Sequence, residues 1–200
     1  SVSFGYKDIE TWHKVALEEA EGHIYSRNTN PTVRAFEDKV KELECAEAAT
    51  SFASGMAAIS NTLATFLKPG DRVVSIKDSY GGTNVIFNEF LPPLNIEVSL
   101  CETGDYEQIE AEIAKGCTLL YLETPTNPTI KITDIKRLSA AAKKVGALVV
   151  VDNTFATPIN QNPLLLGADI SLHSASKYLG GHADALGGVI CGNKDLVKKV

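Results

Sequence analysis

The sequence predicts an α/β fold, a mostly parallel sheet sandwiched by helices. Helical and strand patterns alternate from about residue 30, the rhythm of strands joined by covering helices. Several strand candidates are continuous apolar runs, as expected when both faces of a parallel sheet are buried. With 44% hydrophobic residues in a chain of 200, there is enough apolar side chain for one sizeable core.

The elements follow in order. Asn30-Pro31 reads as a cap with proline at the first helical position, and Val33, Phe36, Val40 and Leu43 then supply an apolar face of period 3.6. A second helix is expected at 56–67, stopped by Lys68-Pro69-Gly70-Asp71 before a strand at 73–76. Further strands are expected at 96–100, 118–122, 147–151, 170–173 and 188–191, with helical stretches near 83–91, 105–114 and 133–145. Residues 1–25 are more polar and lack a strand rhythm, so they are expected to form an arm that packs elsewhere or on a partner chain. Residues 26–200 are expected to form one large domain. Lys194 to Val200 looks like the start of a helix with nothing after it to close the fold, so the chain reads as a fragment.

Composition narrows the function classes. A formal charge of -6 and a pI near 5.3 leave no basic footprint for nucleic acid. The longest apolar runs, at 147–151 and 164–166, fall far short of the roughly 20 residues of a membrane span, and no signal-like segment opens the chain. A cytoplasmic protein is expected. Cys45, Cys101, Cys117 and Cys191 lie far apart, and His13, His23, His173 and His182 show no metal-ligand spacing, so no metal site is expected. Phosphate-loop and dinucleotide glycine motifs are also missing. Thr-Asn-Pro-Thr occurs at 29–32 and 126–129 in unrelated surroundings and marks no repeat.

Ligands of open parallel sheets bind beyond the carboxyl ends of the strands, and the loops there are chemically unusual. Ser54-Gly55-Met56 opens a helix whose backbone N–H groups can hold an anion, with Gly55 permitting close approach. Alone, such a stretch is usually just a cap. Asp152 directly follows the buried run Val149-Val150-Val151, where burial raises a carboxyl pKa unless a cation compensates. Alone, it is equally a loop acid with a solvent outlet. Ser174-Ala175-Ser176-Lys177 follows another strand, where a partly desolvated amine can form an imine with an aldehyde while the hydroxyls hold a phosphate. Alone, Lys177 is an ordinary surface charge. Together the anion cradle, the acid for a pyridinium nitrogen and the Ser-x-Ser-Lys are the fixtures that pyridoxal 5'-phosphate (PLP) requires.

Six ordered blocks then resemble the cystathionine gamma-synthase and gamma-lyase family of PLP enzymes of methionine and cysteine metabolism. They are Tyr25-Ser26-Arg27 with Asn30-Pro31-Thr32, Ala53-Ser54-Gly55-Met56, Tyr80-Gly81-Gly82-Thr83, Glu123-Thr124-Pro125-Thr126-Asn127-Pro128, Asp152-Asn153-Thr154-Phe155 and Ser174-Ala175-Ser176-Lys177-Tyr178. The resemblance implies the large PLP-binding domain of fold-type I enzymes. It implies that Lys177 is the Schiff-base lysine, Asp152 the partner of the pyridine nitrogen, and Tyr80 the ring stacked on the cofactor near the proton transfers. Ser54, Gly55, Met56, Ser174 and Ser176 would hold the phosphate, with Asn127 near the phenolic oxygen and Thr154 near the ring. Tyr25 and Arg27 resemble a pair that reaches the neighbouring subunit's phosphate, implying a dimer at least and a tetramer by family habit. The family continues into a smaller C-terminal domain that this chain does not contain.

The resemblance also bears on the reaction, whose substrate would be a small amino acid. Gly82 stands where methionine gamma-lyases place a cysteine, and Ile24 replaces an acid common in enzymes that grip the distal end of cystathionine. The stretch 154–161, with His173 and 179–182, looks most like synthases. The expectation is therefore cystathionine gamma-synthase, with cystathionine or methionine gamma-lyase and O-acetylhomoserine sulfhydrylase as alternatives. A non-catalytic PLP-binding fragment is the alternative from a different class.

Overall fold

A computed structural model describes all 200 residues, which divide into two compact units, Ser1–Lys39 and Val40–Val200. In the first, helix α1 (Ile9–Ala16) begins at Asp8, whose carboxylate accepts the Thr11 N–H at 2.7 Å. A single antiparallel bridge joins Ser3 to Tyr25, and the Tyr6 hydroxyl bonds both backbone groups of His23 at 2.9 Å. Helix α2 (Pro31–Leu43) starts as its sequence dictates: Asn30 Oδ1 accepts from Thr32 N at 2.9 Å and Val33 N at 3.2 Å. Of its apolar face only Val40 is fully buried, while Val33 and Leu43 remain exposed.

The second unit is built on seven strands. In chain order helices separate all of them except β6 and β7: β1 (Ala48–Phe52), α3 (Gly55–Phe66), β2 (Arg72–Ile76), α4 (Gly81–Val85), β3 (Glu97–Cys101), α5 (Tyr106–Ala114), β4 (Leu119–Glu123), α6 (Ile135–Lys144), β5 (Leu148–Asp152), α7 (Thr157–Asn160), β6 (Ile170–Ser174), β7 (Gly188–Gly192) and α8 (Lys194–Val197). A π-helical turn (Ile86–Phe90) continues α4, so the stretch near 83–91 is helical but not one regular α-helix. No helix is long and apolar enough to cross a membrane.

The sheet order is β1-β7-β6-β5-β4-β2-β3. From β3 across to β6 every pairing is parallel, whereas β7 runs antiparallel to both β6 and β1. The sheet is thus mostly parallel, with one antiparallel edge. Side chains alternate across it. Val73, Tyr121, Val150, Ile170, Leu172 and Ile190 pack with Ala58, Ile59 and Leu63 of α3 on one face. Val74, Ile76, Leu120, Leu122, Val149 and Val151 pack with Ile109 and Ile113 of α5 and Leu138 and Ala142 of α6 on the other. Burying a Val, Leu or Ile side chain is worth about 1.5–3 kcal/mol, so these two layers fix where each strand ends. That places Glu123 in register beside Asp152, with Ser174 two residues past Asp152's partner Leu172, at the carboxyl ends of β4, β5 and β6.

Candidate active site

A cavity of about 570 Å³ opens at those carboxyl ends, and all of its lining belongs to the second unit. Ser54, Gly55 and Met56 enter from the start of α3, Tyr80 from the loop after β2, and Asn127 from the loop after β4. Asp152 and Thr154 come from the end of β5, and Ser174, Ser176 and Lys177 from the end of β6. Ten of the twelve residues expected at the site are therefore brought together. The other two, Tyr25 and Arg27, lie in the first unit, where the Arg27 guanidinium sits 5.2 Å from the centre of the Tyr25 ring.

The cradle is built by a close approach of two elements. The Ser54 hydroxyl caps α3 by accepting the Ala57 N–H at 3.1 Å, and a Cβ on Gly55 would stand only 2.5 Å from Ser174 Cβ. Any larger residue would push α3 away from β6. With glycine there, the N-terminal N–H groups of α3 and the Ser174 hydroxyl border one pocket, a setting that favours an anion. The Ser176 hydroxyl also borders it while exchanging hydrogen bonds with the Gly187 backbone at 3.0 and 3.3 Å.

Asp152 is almost fully buried, and burial pushes its carboxyl pKa above the ordinary value. Thr154 opposes that shift: its backbone N–H at 3.0 Å and its hydroxyl at 2.5 Å both donate to Asp152 Oδ1. The Tyr121 hydroxyl reaches Oδ2 at 3.3 Å. Thr154 in turn accepts the Ser174 N–H at 2.8 Å, which ties the end of β5 to the end of β6. No lysine or arginine pairs with Asp152. His173 is the nearby imidazole that acts on it, and a protonated ring nitrogen facing the carboxylate would supply a direct cationic partner, so the acid, the anion cradle and the amine together fit PLP.

Lys177 differs from expectation in its burial. The turns that follow Ser174 carry it to the cavity mouth, where it is exposed rather than desolvated. Two features were not assigned from the sequence. Glu123 lines the cavity 5% exposed, and its pKa is pushed up to about 7, by burial first and by Asp152 second. It ends an apolar strand as Asp152 does, so the same pattern marks it. Phe155 and Tyr178 form a tilted ring pair, centres 5.7 Å apart, that also borders the cavity. His173, expected to be structural, is fully buried with Nε2 2.5 Å from Glu44 Oε1.

The family model described as "Cys/Met metabolism PLP-dependent enzyme" matches residues 1–200. A cystathionine gamma-lyase of Bacillus subtilis is 46% identical over 197 residues, and an L-methionine gamma-lyase of Fusobacterium nucleatum is 46% identical over 188. These alignments cover 98% and 94% of this chain but only 52% and 47% of the relatives, so the chain spans about half the length of the curated relatives it matches. The crystal structure of metB from Corynebacterium glutamicum superposes with a TM-score of 0.90 at 38% identity, covering all of this chain and 50% of the other. A cystathionine gamma synthase from Xanthomonas oryzae, in complex with aminoacrylate and cysteine, gives a TM-score of 0.89 at 34% identity, again over all of this chain and 50% of the other. With its whole length matched and its cavity furnished for the cofactor, the chain belongs to the PLP-dependent enzymes of Cys/Met metabolism.

Proposed function

We propose that this chain is the cofactor-binding part of a carbon–sulfur lyase that cleaves cystathionine. The observation that carries the reading is the cavity itself, where a buried acid without a lysine or arginine partner, an anion cradle and an exposed amine converge at neighbouring strand ends.

The residues that lean toward a synthase, the stretch 154–161 with His173 and 179–182, together with Ile24, are outweighed by the curated relatives. Proteins at 46% identity bear lyase names, while the synthase name comes from a solved structure at 34%. Between lyases, Gly82 favours cystathionine over methionine. A Cβ there would stand 2.8 Å from both Met56 Sδ and Tyr80 Cε1, so the cysteine that the resemblance places in methionine gamma-lyases needs both neighbours to move.

When bound, PLP supplies an electron sink conjugated with the substrate's alpha carbon. Lys177 would be the point of attachment and the general base for the alpha proton. Asp152, oriented by Thr154, would keep a proton on the ring nitrogen. The N–H groups at Gly55 and Met56, with Ser54, Ser174 and Ser176, would hold the phosphate, and Tyr80 and Asn127 would contact the cofactor from their loops. Cleavage at the gamma carbon then releases cysteine, and water releases a keto acid and ammonia. Tyr25 and Arg27 are assigned to the phosphate of a second copy, which makes the working assembly a dimer or a pair of dimers.

The decisive assay gives full-length protein cystathionine alone, or O-acylhomoserine with cysteine. Keto acid and ammonia from cystathionine are expected; cystathionine formed from the second mixture, without cleavage of the first, would make the protein a synthase.

A further inference from the structure

Glu123 raises a question that PLP binding by itself does not answer. Its carboxylate is buried, has no lysine or arginine partner, and sits in register beside Asp152 across the β4–β5 pairing. Holding two acids together in a low-dielectric setting is unfavourable, and folds retain such arrangements mainly where the site uses them.

Its hydrogen bonds suggest the use. Oε2 accepts the backbone N–H of Tyr80 at 2.7 Å, and Oε1 accepts the backbone N–H of Asn127 at 2.9 Å. The two donors belong to different loops, one after β2 and one after β4, and both residues line the cavity. A bidentate carboxylate is well suited to this. Its oxygens can each accept a strong bond, and it ends a strand that is buried along its whole length. Tyr80 itself is exposed and caps α4 without any side-chain hydrogen bond. Asn127 is likewise exposed at its loop. Their backbone anchors therefore meet at one buried side chain.

We propose that Glu123 is a positioning residue that locks the loops of Tyr80 and Asn127 in one spacing, so that the ring and the amide close on the cofactor together. The proposal rests on the reading that the cavity holds PLP, and it deepens that reading. Asp152 is the charged group facing Glu123 across the strands, with the Tyr121 phenol below it and the Lys177 ammonium at the same cavity.

Glutamine at this position preserves shape but not function. Its single oxygen accepts one of the two N–H groups, and its NH₂ faces the other donor, so one loop must let go. In full-length protein, Glu123→Gln is expected to keep the visible absorbance band of Lys177-linked PLP. Cofactor affinity, measured above the Glu123 pKa so that the carboxyl is ionised, should nevertheless fall about tenfold or more, the loss set by one hydrogen bond to a charged acceptor. The visible circular dichroism of bound PLP, which reports how rigidly the ring is held, should weaken in parallel. In a Tyr80→Ala, Asn127→Ala background the same change should lose most of its effect, because only the loops connect Glu123 to the cofactor.

Unchanged affinity and dichroism in Glu123→Gln would overturn the proposal. So would a full effect in the double-alanine background, or a loss no larger than the destabilisation of the cofactor-free protein in urea. If Glu123→Gln fails to fold, Glu123→Asp, which keeps both oxygens but withdraws them by one methylene, is read by the same criteria. A parent protein with no PLP band at all would instead sink the reading of the cavity.

Discussion

The two ends of the parallel strands carry charge in opposite ways, half-exposed and paired at one end, buried and unpaired at the other. At the amino ends, Arg72 and Glu97 stand in register on β2 and β3 and pair at 2.9 Å. Arg72 also pairs with Glu112 and donates to the carbonyls of Glu112 and Gly116 at 2.7 and 2.9 Å. Lys115 first, and Arg72 after it, hold the Glu112 carboxyl below its ordinary pKa. At the carboxyl ends, Glu123 and Asp152 also stand in register, yet both are acids, neither has a lysine or arginine partner, and both are pushed up. Paired charge joins strands and helices into a fold. Charge left to be paired marks where the fold expects something else.

Three measurements test this contrast. The largest effect is expected at the unpaired end. Asp152→Ala in full-length protein should weaken PLP binding by about a hundredfold or more, since truncating one side of a buried charge pair costs about 2–5 kcal/mol. Titration of the cofactor-free protein with PLP reads it, and an effect below tenfold would break the contrast.

Next comes the paired end. Arg72→Met should lower stability by about 1–3 kcal/mol in urea unfolding, because it leaves the partly buried carbonyls of Glu112 and Gly116 without their donor, while the acids keep their access to water. Folded protein should still show the parent's PLP spectrum. A spectral change would mean the two ends are coupled.

The smallest effect concerns pH. Glu123 has an ordinary value of 4.5 and a folded value of about 7, so the folded chain keeps a proton that the unfolded chain releases between them. Stability of the cofactor-free protein should therefore fall as pH rises through that window, by about 2 kcal/mol between pH 5 and 7. The raised Asp152 adds to the same sign. Acids held below their ordinary values, such as Asp78 beside Lys131, act the other way: the stability they contribute is lost as pH falls below about 4. Urea unfolding at several pH values checks both signs, and Glu123→Gln should flatten the upper slope.

How much of this is legible in the sequence follows from burial. Strands covered on both faces show as apolar runs, so β4, β5, β6 and β7 lie within a residue or two of where the pattern puts them. β1 escapes notice because Ala48-Ala49-Thr50-Ser51-Phe52 is small, partly polar and only half-buried at an edge. Strand direction escapes too: a sequence signals that β7 exists, but the chain between Ser174 and Gly188 forms turns rather than a crossover helix, and that makes β7 antiparallel. The pieces of the site are legible as acids, hydroxyls and an amine just past apolar runs. Glu123 carries the same mark, an acid ending an apolar run, but its role is not legible, because its partners are backbone N–H groups of Tyr80 and Asn127, which no residue pattern spells out.

The antiparallel edge has a consequence for the order of assembly. β1 pairs with β7 and with no other strand, although the two are about 140 positions apart, and Gly188 lies so close to Ser54 that a Cβ there would stand 2.2 Å from its carbonyl oxygen. Closing so long a loop is entropically demanding and slow compared with local pairing. During synthesis, Ser54-Gly55-Met56 emerge early but wait for residues near 190 before their backdrop exists. The start of α3 is thus expected among the last parts of the unit to take shape, and a nascent chain stalled before β7 carries every cavity residue proposed to hold the cofactor yet lacks the strand that holds β1 in place.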